Sequence, residues 1–415
     1  MAKRILVLGV GQNNFLSFLY GTLKKYDASF CIKAPFIRDL NKPVPDATWM
    51  YDNKDVVIKV SFFNLFRAFI ISSFSLHLWQ TFFFILFVEK KFKKAVHFFL
   101  KHNQAKAFFL QNKSFKDIDI FHFHYIQYSY LRELFLIPKD KNIVCTFWGS
   151  DLLRTSDILN FYFVKKALNR ATTITCQSLE MREIILSKFG RNLLNKIKIA
   201  QFPVDRKIYD EMDANIQNKT LIKSFQEKYG YSLTKKNILV GHNGSKNNNH
   251  EKIIQALSGS ACKDKCHLIV NLNYAISSDE KKDYVPRLEK LLNESGFTFT
   301  VNDTFFSKEE LAISRLATSI FIHMPISDAL SGTLTEMLYA NNSVITGSWL
   351  PYKTFKKMGL QYHEVDDFDE LPIILDALMA DFEKEQLQSA TNKKAIQDYF
   401  FNENCIMNWS KILIQ

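Results

Sequence analysis

Cysteine is scarce in this chain of 415 residues: there are six, and they are scattered. Cys262 and Cys266 stand four apart, but no second ligand pair follows nearby, which argues against a zinc site. Cys145 and Cys176 fall inside strand-like apolar runs and read as packed thiols, and a reducing cytosolic setting fits the whole set. No internal repeat or low-complexity tract is present. The opening MAKRILVLGVG has too short an apolar part for a secretory signal and no small-residue cleavage site, so it is expected to be a first strand. A metal clamp is also missing: Asp117-Ile-Asp119 lies in a strand-like run, and Asp366, Asp367 and Asp369 read as a solvated loop. Neither a metal nor a cofactor is expected, and no lysine is marked for pyridoxal phosphate.

Positive charge, in contrast, is plentiful. Lys and Arg number 54 against 42 Asp and Glu, a formal net charge of +12, which suits an anionic partner: a nucleotide diphosphate, a lipid phosphate or nucleic acid. With 47% hydrophobic and 23% charged residues the chain is globular, and its length suggests two domains of about 200 residues each.

The most informative stretch is Met324 to Ala340. Ser319 to Met324 reads as a buried strand, Ser327 to Gly332 as a small polar loop, and Thr333 to Ala340 as a helix. A strand, a tight loop and a helix start together offer free amides and a positive dipole end, where a phosphate can sit. Asp328 and Glu336 frame this turn with seven residues between them. Read locally, they are an N-terminal cap and a solvated helix carboxylate.

The spacing resembles the acid-x7-Glu signature of GT-B nucleotide-sugar glycosyltransferases, with Asp in place of the first Glu. The resemblance implies two doubly wound parallel α/β domains facing a cleft. It also implies that Asp328 holds sugar hydroxyls, that Ser331, Gly332 and Thr333 hold the diphosphate, and that Glu336 holds the nucleotide ribose.

A second turn, Asn237 to His250, enters Gly241-His-Asn-Gly244 from a strand and leaves through an Asn-rich loop into a helix. Small residues let the backbone approach an anion, and Lys246 adds charge. The bland alternative is an exposed polar turn. The form resembles the 4-acetamido-fucosyltransferases, which makes Gly241, Asn243, Gly244, Lys246 and Asn249 donor-binding candidates. Near the start, Ile5 to Val10 is a buried strand, and Gly9 and Gly11 form a glycine pair. The third glycine of a dinucleotide fingerprint is absent, Asn14 standing in its place. In GT-B chains such a turn faces the cleft, so Gly11 joins the donor set.

In the first half, Asp117 to Tyr125 alternates as a strand with His122 and His124 on one face. They are either satisfied structural histidines or, by the resemblance, part of the acceptor side. Asn142 to Asp151 is a strand running into a Gly turn. Retaining members carry Thr-x-His-Gly-x-Asp here, and this chain has Trp148 at the His position. Asp151 matches the Asp, as a general base or as a helix cap. Whether transfer retains or inverts stays open.

Between Ala68 and Val88 no residue carries a formal charge, and a block of lysines interleaved with phenylalanines follows. The block is read as an interfacial helix on anionic lipid, a core helix, or a membrane span. It is too apolar for a nucleic-acid groove.

The expected organisation is an acceptor-binding domain over 1–205 with a membrane-facing block at 60–110, a nucleotide-sugar-binding domain over 206–394, and a C-terminal helix over 395–415 crossing back. The expected function is transfer of a sugar from a nucleotide diphosphate donor to a hydroxyl of a lipid-linked or glycan acceptor in surface polysaccharide or lipopolysaccharide assembly, peripheral on the inner face of the cell membrane. A GT-B-fold epimerase and a non-catalytic nucleotide-sugar-binding protein are the alternatives.

Overall fold

The computed structural model describes residues 3–9, 14–33, 60–111, 117–155, 157–401 and 403–414. The chain divides into two compact units, Met1–Pro203 with Asn402–Gln415, and Val204–Phe401. Each unit is built on one six-stranded sheet, parallel throughout.

In the first unit the strands are β1 (Arg4–Gly9), β2 (Cys31–Lys33), β3 (Ile120–His124), β4 (Asn142–Thr146), β5 (Thr173–Cys176) and β6 (Ile197–Ile199). They lie in the order β2-β1-β3-β4-β5-β6. The second unit has β7 (Lys236–Val240), β8 (Cys266–Asn271), β9 (Thr298–Asn302), β10 (Ile320–His323), β11 (Ser343–Gly347) and β12 (His363–Val365), in the order β12-β11-β10-β7-β8-β9. Strands of this kind are covered on both faces, which is why they read as unbroken apolar runs. In β7, Ile238 and Val240 join one apolar layer and Leu239 the other; in β10, Ile320 and Ile322 face one way and Phe321 the other. Helices between strands begin where serine caps them. Ser277 and Ser307 each form a reciprocal capping box, with Glu280 and Glu310.

Each sheet has one place where the strand order reverses: between β1 and β3, and between β7 and β10. Parallel sheets of this class take ligands beyond the carboxyl ends of the strands at such a point.

Several boundaries differ from expectation. Asp205 is not the end of the first unit; its carboxylate caps helix Arg206–Asn215 in the second. The polar approach expected over 206–236 contains that helix and helix Lys219–Tyr229, which bury Ile208, Tyr209, Met212 and Phe225. The run expected as one C-terminal helix is two, Asn392–Phe400 in the second unit and Glu403–Ile414 in the first. The latter packs Ile406, Trp409 and Leu413 with Leu16, Leu19 and Leu23 of helix Asn14–Tyr26. Trp409 also donates to the Gln201 carbonyl at 2.6 Å.

Burial pushes the Cys145 and Cys176 thiols up to about 12, as packed thiols require, and all six cysteines are free. Between β2 and β3 lie helices Phe62–Ser73, Leu76–Phe83 with a π-helical continuation Phe84–Val88, and Phe92–Gln111. Among the described residues no single helix is long and apolar enough to cross a membrane. Phe62–Ser73 and Leu76–Val88 reach that criterion only together, and they are bent by 81°.

Candidate functional site

The loops leaving β7 and β10 meet at the reversal point of the second sheet. The Gly241 amide continues the strand ladder to the Ile322 carbonyl at 3.0 Å. Beyond it, the Ile326 amide donates to the Asn247 carbonyl at 2.8 Å. The Asn247 side chain donates to the Ser327 carbonyl at 3.0 Å, and the Asn249 side chain to the Met324 carbonyl at 2.8 Å. The two turns singled out in the sequence are thus one construction.

Gly241 has φ +64°, and a Cβ there would lie 2.4 Å from the His250 Nε2. At Gly244 a Cβ would lie 2.2 Å from the Ile276 Cγ2. Both glycines are demanded by close packing. Asn243 turns inward: its Oδ1 accepts from the Ser245 amide and the Asn248 side chain, both at 2.9 Å. Asn243 and Asn249 therefore build the loop, a different use from the ligand contact expected of them. Lys246 is exposed on the 3-10 turn Lys246–Asn248.

After β10, Ser331 caps helix Gly332–Tyr339 by accepting from the Leu334 amide. The amides of Gly332 and Thr333 precede any possible intrahelical acceptor and face outward from the helix start. A Cβ at Gly332 would meet only the Glu336 Oε1, at 3.9 Å, so the side of this glycine at the helix start is open.

The two carboxylates are each held from one side. The Asp328 Oδ2 accepts from the Tyr352 hydroxyl at 2.6 Å and lies 3.3 Å from the His323 Nε2. Burial works to raise its pKa, but the hydrogen bonds and charge of His323, with the Tyr352 hydroxyl, outweigh it and hold the carboxyl at about 2. The Glu336 Oε2 accepts from the Arg315 Nε at 3.0 Å and Nη2 at 2.8 Å. Burial raises the Glu336 pKa despite this guanidinium. These bonds leave the Asp328 Oδ1 and the Glu336 Oε1 without protein donors among the described residues.

Sequence reading missed His323, Tyr352 and Arg315. A charged residue among the apolar positions of Leu311-Ala-Ile-Ser-Arg-Leu-Ala317 was the available signal for Arg315. His242, one residue past Gly241, places its ring 5.3 Å from that of His323 and buries an Nδ1 with no partner among the described residues.

In the first unit the expected residues gather around the β1/β3 reversal, but they are already engaged. His122 and His124 are fully buried. The Trp148 indole N–H donates to the His124 Nδ1 at 3.2 Å, and this fixes the sense of a chain. The His124 Nε2 must donate to the Tyr20 hydroxyl (2.7 Å), Tyr20 to the His122 Nδ1 (2.8 Å), and the His122 Nε2 to Thr146 (2.6 Å). The Thr146 and Thr175 hydroxyls are hydrogen-bonded at 2.6 Å. Burial keeps both rings neutral, His122 down to about 3 and His124 well below its ordinary value. No ring nitrogen is left for an acceptor, so the acceptor-side expectation for these histidines is corrected to a structural one. Trp148, half-buried, is the member of the set nearer the surface.

Asp151 is engaged by the backbone as well. Its carboxylate accepts from the amides of Ile126 (2.7 Å), Trp148 (2.9 Å) and Gly149 (2.7 Å), tying the loops after β3 and β4 together. Burial lifts its pKa to about 6 against those amides. These bonds give Asp151 a structural use in joining the two loops, beside the general-base role expected of it. Gly9, at φ +99°, ends β1 where a Cβ would strike the His124 carbonyl at 2.1 Å. Gly11 lies outside the described residues.

No family model matches the chain, and no curated protein matches it in sequence. Solved structures do match it over its whole length. Alr3699/HepE of Anabaena, in complex with UDP and glucose, is 11% identical with a TM-score of 0.63 and covers 100% of both chains. A glycosyltransferase from Rickettsia africae ESF-5 is 14% identical with a TM-score of 0.63, over 99% of this chain and 97% of its own. OtsA without ligand is 12% identical with a TM-score of 0.68, over 100% and 99%. The two doubly wound parallel sheets of this protein are the GT-B fold.

Proposed function

We propose that this protein is a glycosyltransferase that moves a sugar from a nucleotide diphosphate to a hydroxyl of a lipid-linked or glycan acceptor. One observation carries the reading: the stitched loops beyond β7 and β10 combine an open helix start with two carboxylates, each leaving an oxygen unused. In this reading the Gly332 and Thr333 amides and Lys246 take the diphosphate and stabilise its charge as it leaves. The Glu336 Oε1 accepts from the ribose, and the Asp328 Oδ1 from a sugar hydroxyl. Arg315, His323 and Tyr352 keep these oxygens aimed. The structures of HepE with UDP, glucose and UDP-glucose lend support, since the same fold accepts such ligands there.

The test is a donor screen reading released UDP, GDP or dTDP with and without acceptor, in EDTA. Turnover of one donor is expected to persist without a divalent metal. Glu336→Gln keeps a partner for Arg315 while removing the charge, and the donor KM is expected to rise about 10- to 100-fold, the worth of a charge-assisted hydrogen bond of roughly 1.5–3 kcal/mol. An unchanged KM would remove Glu336 from the donor site. Binding without release would favour the non-catalytic alternative, and conversion of the donor sugar without release would favour the epimerase.

A further inference from the structure

Helix Phe62–Ser73 reverses the usual order of an amphipathic helix. The side it packs inward is small or polar, with Ala68 and Ser72 buried, while Phe62, Phe66, Phe69 and Ile70 stand 84, 56, 49 and 46% exposed. The pattern continues past the bend, with Phe74 86%, Leu76 72%, Phe87 67% and Phe92 66% exposed. Nearly half of the exposed large apolar side chains among the described residues fall between Phe62 and Leu100. Several polar groups of the block point the other way, beside the buried Leu78 and Ile85: the Ser72 and Thr81 hydroxyls and both nitrogens of His77 are buried with no hydrogen-bond partner among the described residues. Polar inside and apolar outside is the arrangement lipid selects, since a water-facing helix keeps its apolar stripe inward.

Charge identifies the lipid. Over 60–111 the sequence has seven Lys or Arg and one acid, Glu89, which already pairs with Lys94 at 2.9 Å. Arg67, Lys90, Lys91 and Lys93 are exposed beside the phenylalanines. A second copy of the chain is a poor occupant, because a two-fold contact would set this basic face against itself. Neither arm crosses by itself, since each rises about 18–20 Å against a hydrocarbon core of about 30 Å, and the 81° bend between them favours a pair lying in one leaflet over a straight span.

We propose that these helices form a monotopic wedge that inserts its phenylalanines into one leaflet of an anionic phospholipid bilayer, with Arg67 and the lysines at the headgroups. The wedge does not rest on the donor reading: its helices belong to the first unit and the donor loops to the second.

The experiment is cosedimentation of the full chain with vesicles of phosphatidylcholine alone or mixed with phosphatidylglycerol, alongside ultracentrifugation without lipid. The protein is expected to pellet with the anionic vesicles, and the partition is expected to fall at least tenfold in Lys90→Glu/Lys91→Glu/Lys93→Glu. Phe62→Ser/Phe74→Ser/Leu76→Ser should leave both vesicle types, with circular dichroism and thermal melting little changed because these side chains are largely exposed. Equal binding to neutral vesicles would overturn the anionic part. Failure to pellet with either vesicle would overturn the wedge, as would a lipid-free dimer that the serine variant dissociates.

Discussion

Asp328 is the residue whose surroundings make the sharpest statement. Its carboxyl sits at about 2 in the folded protein against an ordinary 3.8, because His323 and Tyr352 outweigh its burial. A lowered folded pKa adds stability that is complete above the unfolded value and is lost as pH falls through the folded one. The gap corresponds to about 2 kcal/mol. Asp328→Asn is therefore expected to be less stable than the parent above about pH 4, with the difference shrinking by about that amount toward pH 2. Urea unfolding of both proteins across this range measures it, and a difference constant with pH would show that the carboxylate is not held as described. Asp328 and Glu336 were singled out by their spacing together with the strand–loop–helix pattern around them and its resemblance to a family signature. Their holders were not: Tyr352 follows β11, Arg315 lies on helix Lys308–Ala317, and His323 ends β10, so no local pattern links them to the acids.

At the scale of the element, two glycines in neighbouring turns separate architecture from binding. Gly241 sits at positive φ against His250, whereas Gly332 opens onto space before a helix start. Gly241→Ala is expected to lower stability by about 1–2 kcal/mol from the left-handed backbone alone, with the steric contact adding to it. Gly332→Ala is expected to leave the melting temperature unchanged or slightly raised, since alanine suits a helix better, while weakening nucleotide diphosphate binding. Thermal melts and titration with UDP, GDP and dTDP check the pair. If Gly332→Ala binds as the parent does, the amides behind it are not the phosphate site. Both turns were visible in the sequence because glycine punctuates apolar runs there. The inward use of Asn243 and Asn249 was not visible, because an Asn-rich loop reads the same whether its amides face a ligand or each other.

For the whole molecule, the notable fact is connectivity. The chain leaves the first unit at Pro203, builds the second, and returns with a terminal helix whose Trp409 is fully buried in the first. Trp409→Ala is expected to cost about 3–5 kcal/mol, as for other buried aromatic truncations. Calorimetry should show the transition of the first unit falling while that of the second holds. Equal shifts in both would mean that the units unfold as one.

The sequence by itself determined the two parallel sheets, because strands covered on both faces must be apolar throughout and their turns must carry small residues. It also singled out the Asp328/Glu336 spacing and the uncharged, then Lys- and Phe-rich, composition of the 60–110 block, while which side of that block faces outward is read from the structure. Tertiary structure alone decided which polar groups remain available. His122, His124 and Asp151 look free in one dimension, but three-dimensional packing supplies them with Tyr20, Thr146, Trp148 and three amides. A buried polar group must find partners wherever the fold brings them, and those partners are set by neighbours in space that no run of sequence records.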